Sequence, residues 1–172
     1  VMMPDNLKLN DVSAIPQGGF VIGAANIFNN KLAKKNLLQG SIPQIMRWDN
    51  VAGLSSVHVF EIGGYINGVN VSLDGIHLFA NDSALDKVTK VTIKNSEILG
   101  QATVKTPDNN SWATDGRLLV TSILVSDMKK MEQCDQNKQR PCNIPFAVSA
   151  LDPHTLQVTE LFHHDGSLPF GA

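Results

Sequence analysis

Three stretches of this chain repeat one another, and that repetition limits the fold more than any other feature. Asn10–Gly23, Asn67–Ala80 and Asn109–Val120 each read as an asparagine, a short apolar strand, a glycine turn and a second apolar strand. The turns carry Gly18-Gly19, Asp74-Gly75 and Asp115-Gly116, the residues that tight hairpins require. The repeats begin at Asn10, Asn67 and Asn109, spaced by 57 and 42 residues. A period of roughly 40–50 residues with four strands per repeat is that of a β-propeller blade.

The rest of the chain agrees. Twelve short β-type runs, from Asp11–Pro16 to Leu156–Phe162, are separated by Gly, Asp, Asn and Pro. Val57 and Val59 alternate with polar neighbours, and Val88–Ile93 shows the same period of two. Only Asn29–Gln39 and Ser126–Gln133 have helical character, and both read as insertions between strands. The lysines of the first insertion read as a solvated face rather than an anion site. With no alternation of strands and helices, the fold is all-β and antiparallel: about three four-stranded blades of a propeller, near residues 10–62, 67–104 and 109–162. In this reading each asparagine stands where an innermost strand begins, at the mouth of the central channel.

Composition closes off several function classes. The 172 residues hold 14 Lys+Arg and 16 Asp+Glu, for a formal charge of -2, which gives no electrostatic case for nucleic acid or an anionic membrane. No apolar run approaches the roughly 20 residues of a transmembrane helix. Cys134 and Cys142 lie in a polar stretch without a nearby His, so they do not make a metal site. They either close a local disulfide, as a secreted or periplasmic protein would allow, or stay as two thiols.

Side chains at the starts of innermost strands converge on a propeller axis, and here they are Asn10, Asn67, Asp108 and Asn109. Asn offers a neutral carbonyl oxygen and Asp a charged one. An all-oxygen donor set suits a hard cation such as Ca²⁺, or another divalent ion, and disfavours zinc and copper. A single Asn at a strand start is ordinary, because it caps turns through its own backbone. Three in phase with the blade period, with Asp108 beside the third, point to a site.

Leu9-Asn10-Asp11-Val12, Ile66–Gly75 and Pro107-Asp108-Asn109 resemble the metal-site motifs of the gluconolactonase, regucalcin (senescence marker protein) and paraoxonase superfamily. Their order and spacing are most similar to the paraoxonase branch, and the likeness runs from about Leu9 to the C-terminus. The resemblance implies a six-bladed propeller with a divalent metal, usually calcium, at the channel mouth, and hydrolysis of lactones or esters. It implies that Asn10, Asn67, Asp108 and Asn109 ligate that metal. It further implies that Asp11 helps to hold a second, structural calcium and that Asp108 is a candidate proton acceptor. Two family elements, an acidic ligand from the first blade and a histidine before the first Asn motif, have no counterpart upstream of Asn10. Three blades are half of a six-bladed ring, and the chain starts at Val1 without an initiator Met. It is therefore expected to be a piece of a longer protein, with pairing of two half rings as the less favoured alternative.

Two other functions fit the same fold: a non-catalytic propeller that binds calcium or a partner, and a strictosidine-synthase-like enzyme. The second does not keep the metal ligands, so the Asn/Asp set argues against it. His163-His164-Asp165 reads as an outer turn, His77 as a strand-face residue, and Trp48 and Trp112 as blade packing. Ser13 and Ser72 lack the glycine frame of a nucleophile elbow.

Overall fold

The computed structural model describes residues 7–26, 44–57, 65–124 and 143–167. Among the described residues twelve strands form three sheets of four. The first sheet contains β1 (Leu7–Ala14), β2 (Phe20–Asn26), β3 (Gln44–Asp49) and β4 (Gly53–Val57). The second contains β5 (Ile66–Val71), β6 (His77–Asp82), β7 (Lys87–Thr92) and β8 (Ile98–Thr103). The third contains β9 (Pro107–Trp112), β10 (Leu118–Ile123), β11 (Phe146–Leu151) and β12 (Val158–His164). Every sheet is an antiparallel meander in chain order, which is the construction of a propeller blade. The sheets meet through their first strands: β5 packs on β1 and β2, and β9 packs on β5 and β6.

The strand period of two explains how the middle blade holds both neighbours. On β6, Leu78 and Ala80 enter a cluster with Ile15, Val21 and Ile45 of the first blade. Phe79, between them in sequence, points the other way, into a cluster with Leu118, Val120 and Leu151 of the third blade. Both faces of β6 are therefore buried, and the blades share two apolar seams rather than one central core. Each fully buried Val, Leu, Ile or Phe in these seams contributes about 1.5–3 kcal/mol of transfer free energy.

Aromatic residues fasten the seams. Trp112 meets Phe79 edge-on at 5.5 Å between ring centroids, and its Nε1 donates to the Val71 carbonyl of the neighbouring blade at 2.6 Å. Trp48 stacks on Phe20 within the first blade. The turns are tied by short carboxylates. Asp49 Oδ1 accepts from the N–H groups of Val51 and Ala52, and Asp152 Oδ1 from those of His154 and Thr155. These bonds hold both carboxyls below the usual carboxylate range.

One expectation needs correction. Asn10, Asn67, Asp108 and Asn109 do not precede their strands but lie inside β1, β5 and β9. The physical reason is a bulge in each strand, described below, which interrupts the apolar alternation and made the strands look shorter. The helical segments Asn29–Gln39 and Ser126–Gln133, the Cys134/Cys142 pair and His58 lie outside the described residues. Among the described residues no helix is long and apolar enough to cross a membrane.

Candidate functional site

Each innermost strand carries a β-bulge, and the candidate ligands sit on all three. On β1 the register steps from Leu9↔Ala24 to Asp11↔Gly23, leaving Asn10 as the extra residue. On β5 it steps from Ile66↔Asp82 to Val69↔Ala80, so Asn67 and Gly68 face the single residue Asn81. On β9, Asp108 and Asn109 face Thr121 between the Pro107↔Ser122 and Asn110↔Val120 pairs. A bulge re-aims side chains that a regular strand would send to opposite faces. It is what lets Asn10 and Asp11, or Asp108 and Asn109, serve one region although they are adjacent in sequence.

The bulges bring three blades together. Asn10 Nδ2 donates to Asn67 Oδ1 at 2.8 Å. The Asn67 side chain lies beside the Asp108 carboxyl. Burial pushes that carboxyl above its ordinary value, the Asn67 amide opposes the shift, and the Asp11 charge adds to it. Tyr65, two residues before Asn67, has its phenol pushed up by burial and by the Asp108 charge. Asn109 is exposed; Thr121 Oγ1 accepts from its N–H and donates to its carbonyl. Asp11 lies between the blades, where Oδ2 accepts from Val69 N–H and Oδ1 from Val12 N–H, both at 2.8 Å.

A second polar layer lies beneath the first. Ser13 Oγ accepts from Val71 N–H and donates to Asn70 Oδ1. Asn70 Nδ2 donates to the Asn110 carbonyl, and Asn110 Nδ2 donates to Asn81 Oδ1. Ser13 therefore joins blades and is not a nucleophile. Asn81, Asn70 and Asn110 were missed as parts of the site. Only Asn70 has a signal in the sequence, the slip from period two on its own strand at Ile66, Val69 and Val71, all buried on one seam.

The donor set fits a hard cation. Asn10, Asn67, Asp108 and Asn109 offer amide and carboxylate oxygens and no sulfur or imidazole, and Asn10 and Asn67 spend amide groups on each other that a half-turn about χ2 would redirect. Among the described residues no group of three or more His, Cys, Asp and Glu is placed to hold a metal, so any cation here depends on the asparagines. A separate cleft lies elsewhere among the described residues. A hollow of about 930 Å³ opens between the turns of the first two blades, over Ile15, Ile76 and Ile93, at the other end of the inner strands. It contains none of the candidate ligands.

The remaining candidates have structural partners. His163 and His164 lie in β12 rather than in a turn; His163 Nδ1 is 3.5 Å from Glu160, and His164 stacks on Phe146. His77 is 3.9 Å from Asp74, and its imidazole is pushed down by burial. Ser72 Oγ closes its own turn, accepting from His77 N–H.

Known proteins place the chain further. Its solved relatives include an inactive H270A virginiamycin B lyase from Staphylococcus aureus with quinupristin, at 12% identity and a TM-score of 0.60, over 92% of this chain and 42% of that one. A nidogen/laminin complex matches at 11% identity and a TM-score of 0.64, over 94% and 51%. A Bacteroides caccae protein of unknown function matches at 12% identity and a TM-score of 0.57, over 96% and 48%. At such identities the likeness carries the fold alone: three blades of a β-propeller. The chain spans about half the length of these structures. No curated protein matches its sequence. The family model for the SMP-30/gluconolactonase/LRE-like region matches residues 2–122, most of the chain and all three bulges. The protein belongs to the SMP-30/gluconolactonase/LRE-like family.

Proposed function

We propose that these blades carry the cation-binding side of a calcium-dependent lactone or ester hydrolase of the paraoxonase-like kind. The observation that carries this reading is the set of three bulges, which brings Asn10, Asn67 and Asp108 of three blades together, Asn10 hydrogen-bonded to Asn67 and the Asn67–Gly68 bulge packed on that of Asp108. Asn10, Asn67, Asp108 and Asn109 would hold the ion. Calcium takes 6–8 oxygens, so water and a substrate oxygen would complete the shell. Asp11 retains lone pairs beyond those used by Val12 and Val69, and would contribute to a second, structural ion.

When bound, the cation would supply Lewis acidity toward an ester or lactone carbonyl. The chain's own residues do the rest. The Asn67 amide beside it favours the charged form of the Asp108 carboxyl, while partial burial raises that carboxyl's affinity for a proton. Asp108 is thus both the charged ligand and the candidate proton acceptor for an attacking water.

The test is hydrolysis of a lactone and aryl-ester panel by the full-length protein, with calcium and after chelation. Calcium-dependent turnover lost in Asp108→Ala supports the proposal. Calcium binding without turnover on any member would favour a non-catalytic, calcium-binding propeller.

A further inference from the structure

We infer that Asn81 is a positioning residue for this site, setting the Asp108–Asn109 bulge of the third blade against the Asn67–Gly68 bulge of the second. The inference rests on reading Asp108 as a cation ligand, and assigns a role to a residue that touches no cation itself.

Asn81 is fully buried on β6, on the face that carries Phe79 into the apolar seam. A primary amide there is costly unless it is hydrogen-bonded. Its bonds go to β9, at the bulge and just beyond it. Asn81 Nδ2 donates to the Asp108 carbonyl at 2.7 Å, and Asn81 Oδ1 accepts from Asn110 Nδ2 at 2.9 Å. One side chain thus grips β9 on both sides of Asn109.

The bulge needs such a grip, because its backbone groups have left the regular ladder. Ser83 Oγ donates to the Pro107 carbonyl, Asn81 to the Asp108 carbonyl, and Thr121 serves both backbone groups of Asn109. Thr121 belongs to the same blade as the bulge, whereas Asn81 and Ser83 reach it from the second blade. Asn81 is also the residue that Asn67 and Gly68 jointly face. It therefore sits against both bulges at once and fixes the separation of Asn67 from Asp108.

Gly68 completes the device. A Cβ at Gly68 would lie 2.7 Å from the Asp108 carbonyl oxygen and 3.0 Å from Asn81 Nδ2. Glycine is needed here for close approach of two blades, and any side chain would push apart the groups that Asn81 joins. Cation affinity depends on the placement of a few oxygens, so relaxing this contact should weaken binding without removing a ligand.

The experiment compares wild type, Asn81→Ala, Gly68→Ala, Asp108→Ala and a control, Thr89→Val. Thr89 is a buried residue of β7, two strands away from the β5 bulge, and its hydroxyl accepts from Gln101. Calcium chloride is titrated calorimetrically into chelator-stripped protein, and calcium-free melting temperatures are measured. Asn81→Ala and Gly68→Ala should each lose at least about tenfold in affinity, while Thr89→Val stays near wild type. At least one of the two should melt no lower than Thr89→Val. Calcium affinity within about threefold of wild type in both variants overturns the inference. So does a loss of affinity confined to variants that melt well below the control, which would mark Asn81 as structural only. Absence of binding by wild type overturns the cation reading itself, and is seen before any variant is compared.

Discussion

Asn10 and Asn67 touch at 2.8 Å although 57 residues separate them. The same offset recurs lower in the seam, where Ser13 donates to Asn70 and Gln17 Nε2 donates to the Asp74 carbonyl. The repeat spacing of the sequence is therefore the contact register between the first two blades. Between the second and third the register is 40 to 41 residues, as in Asn70 to Asn110 and Trp112 to Val71. Repeats with a common frame place equivalent side chains opposite one another, so ligands on successive blades meet without long-range folding devices.

Asp108 brings the one carboxylate at the centre of the cluster, and the cation should depend on it most. Asp108→Ala should weaken calcium binding by about 100-fold or more, since charge count tunes such sites over orders of magnitude. Asp108→Asn, which keeps an oxygen donor but loses the charge, should fall between the two. Calorimetric titration of stripped protein checks the order.

Asn67 contacts both Asn10 and Asp108, whereas the Asn10 amide reaches only the second blade. Asn67→Ala should therefore cost more calcium affinity than Asn10→Ala. The double variant should lose less than the two single losses combined, because the pair shares one contact. A double-mutant cycle by calorimetry reads the coupling, and strict additivity would separate the two side chains functionally.

Much of this was legible in advance because a blade is a local structure. Gly18, Gly75 and Gly116 have φ values of 108°, 73° and 85°, a region in which glycine is at ease, so the turns announced themselves. The blade period then pointed to Asn10, Asn67 and Asn109, with Asp108 beside the third. The bulges were not legible as such. Ile66 and Val69 share a seam at a spacing of three, which breaks the alternation that defines a strand. Asn81 was illegible for a different reason: its partners are a backbone carbonyl and an amide on another blade, and no local pattern records them.

Trp112 reaches out of its own blade to the Val71 carbonyl at 2.6 Å. Trp112→Phe keeps most of the ring contact with Phe79 but leaves that carbonyl without its donor. The expected cost is about 1–3 kcal/mol, that of an unsatisfied buried polar group. Chemical denaturation should show a lower midpoint, and an unchanged midpoint would mean that water replaces the indole.

Asp82 supplies a pH dependence whose sign can be worked out. It is 2% exposed, and its Oδ1 accepts from the N–H groups of Tyr65, Ala84 and Leu85. Burial nonetheless pushes its carboxyl above the ordinary 3.8. A group whose folded value is raised contributes stability below its unfolded value, and that contribution is lost as pH rises through the folded value. At neutral pH the buried charge is therefore a burden that Asp82→Asn removes while keeping the Oδ1 acceptor. The variant should be more stable than wild type at pH 7, and the difference should shrink as pH falls toward 3.8. The turn carboxyls of Asp49 and Asp152 are lowered and lose stability on acidification in both proteins, so they cancel from the comparison. Denaturant midpoints of the two proteins across this range give the test. A gap that widened on acidification would mean that the Asp82 charge stabilises its turn more than burial penalises it.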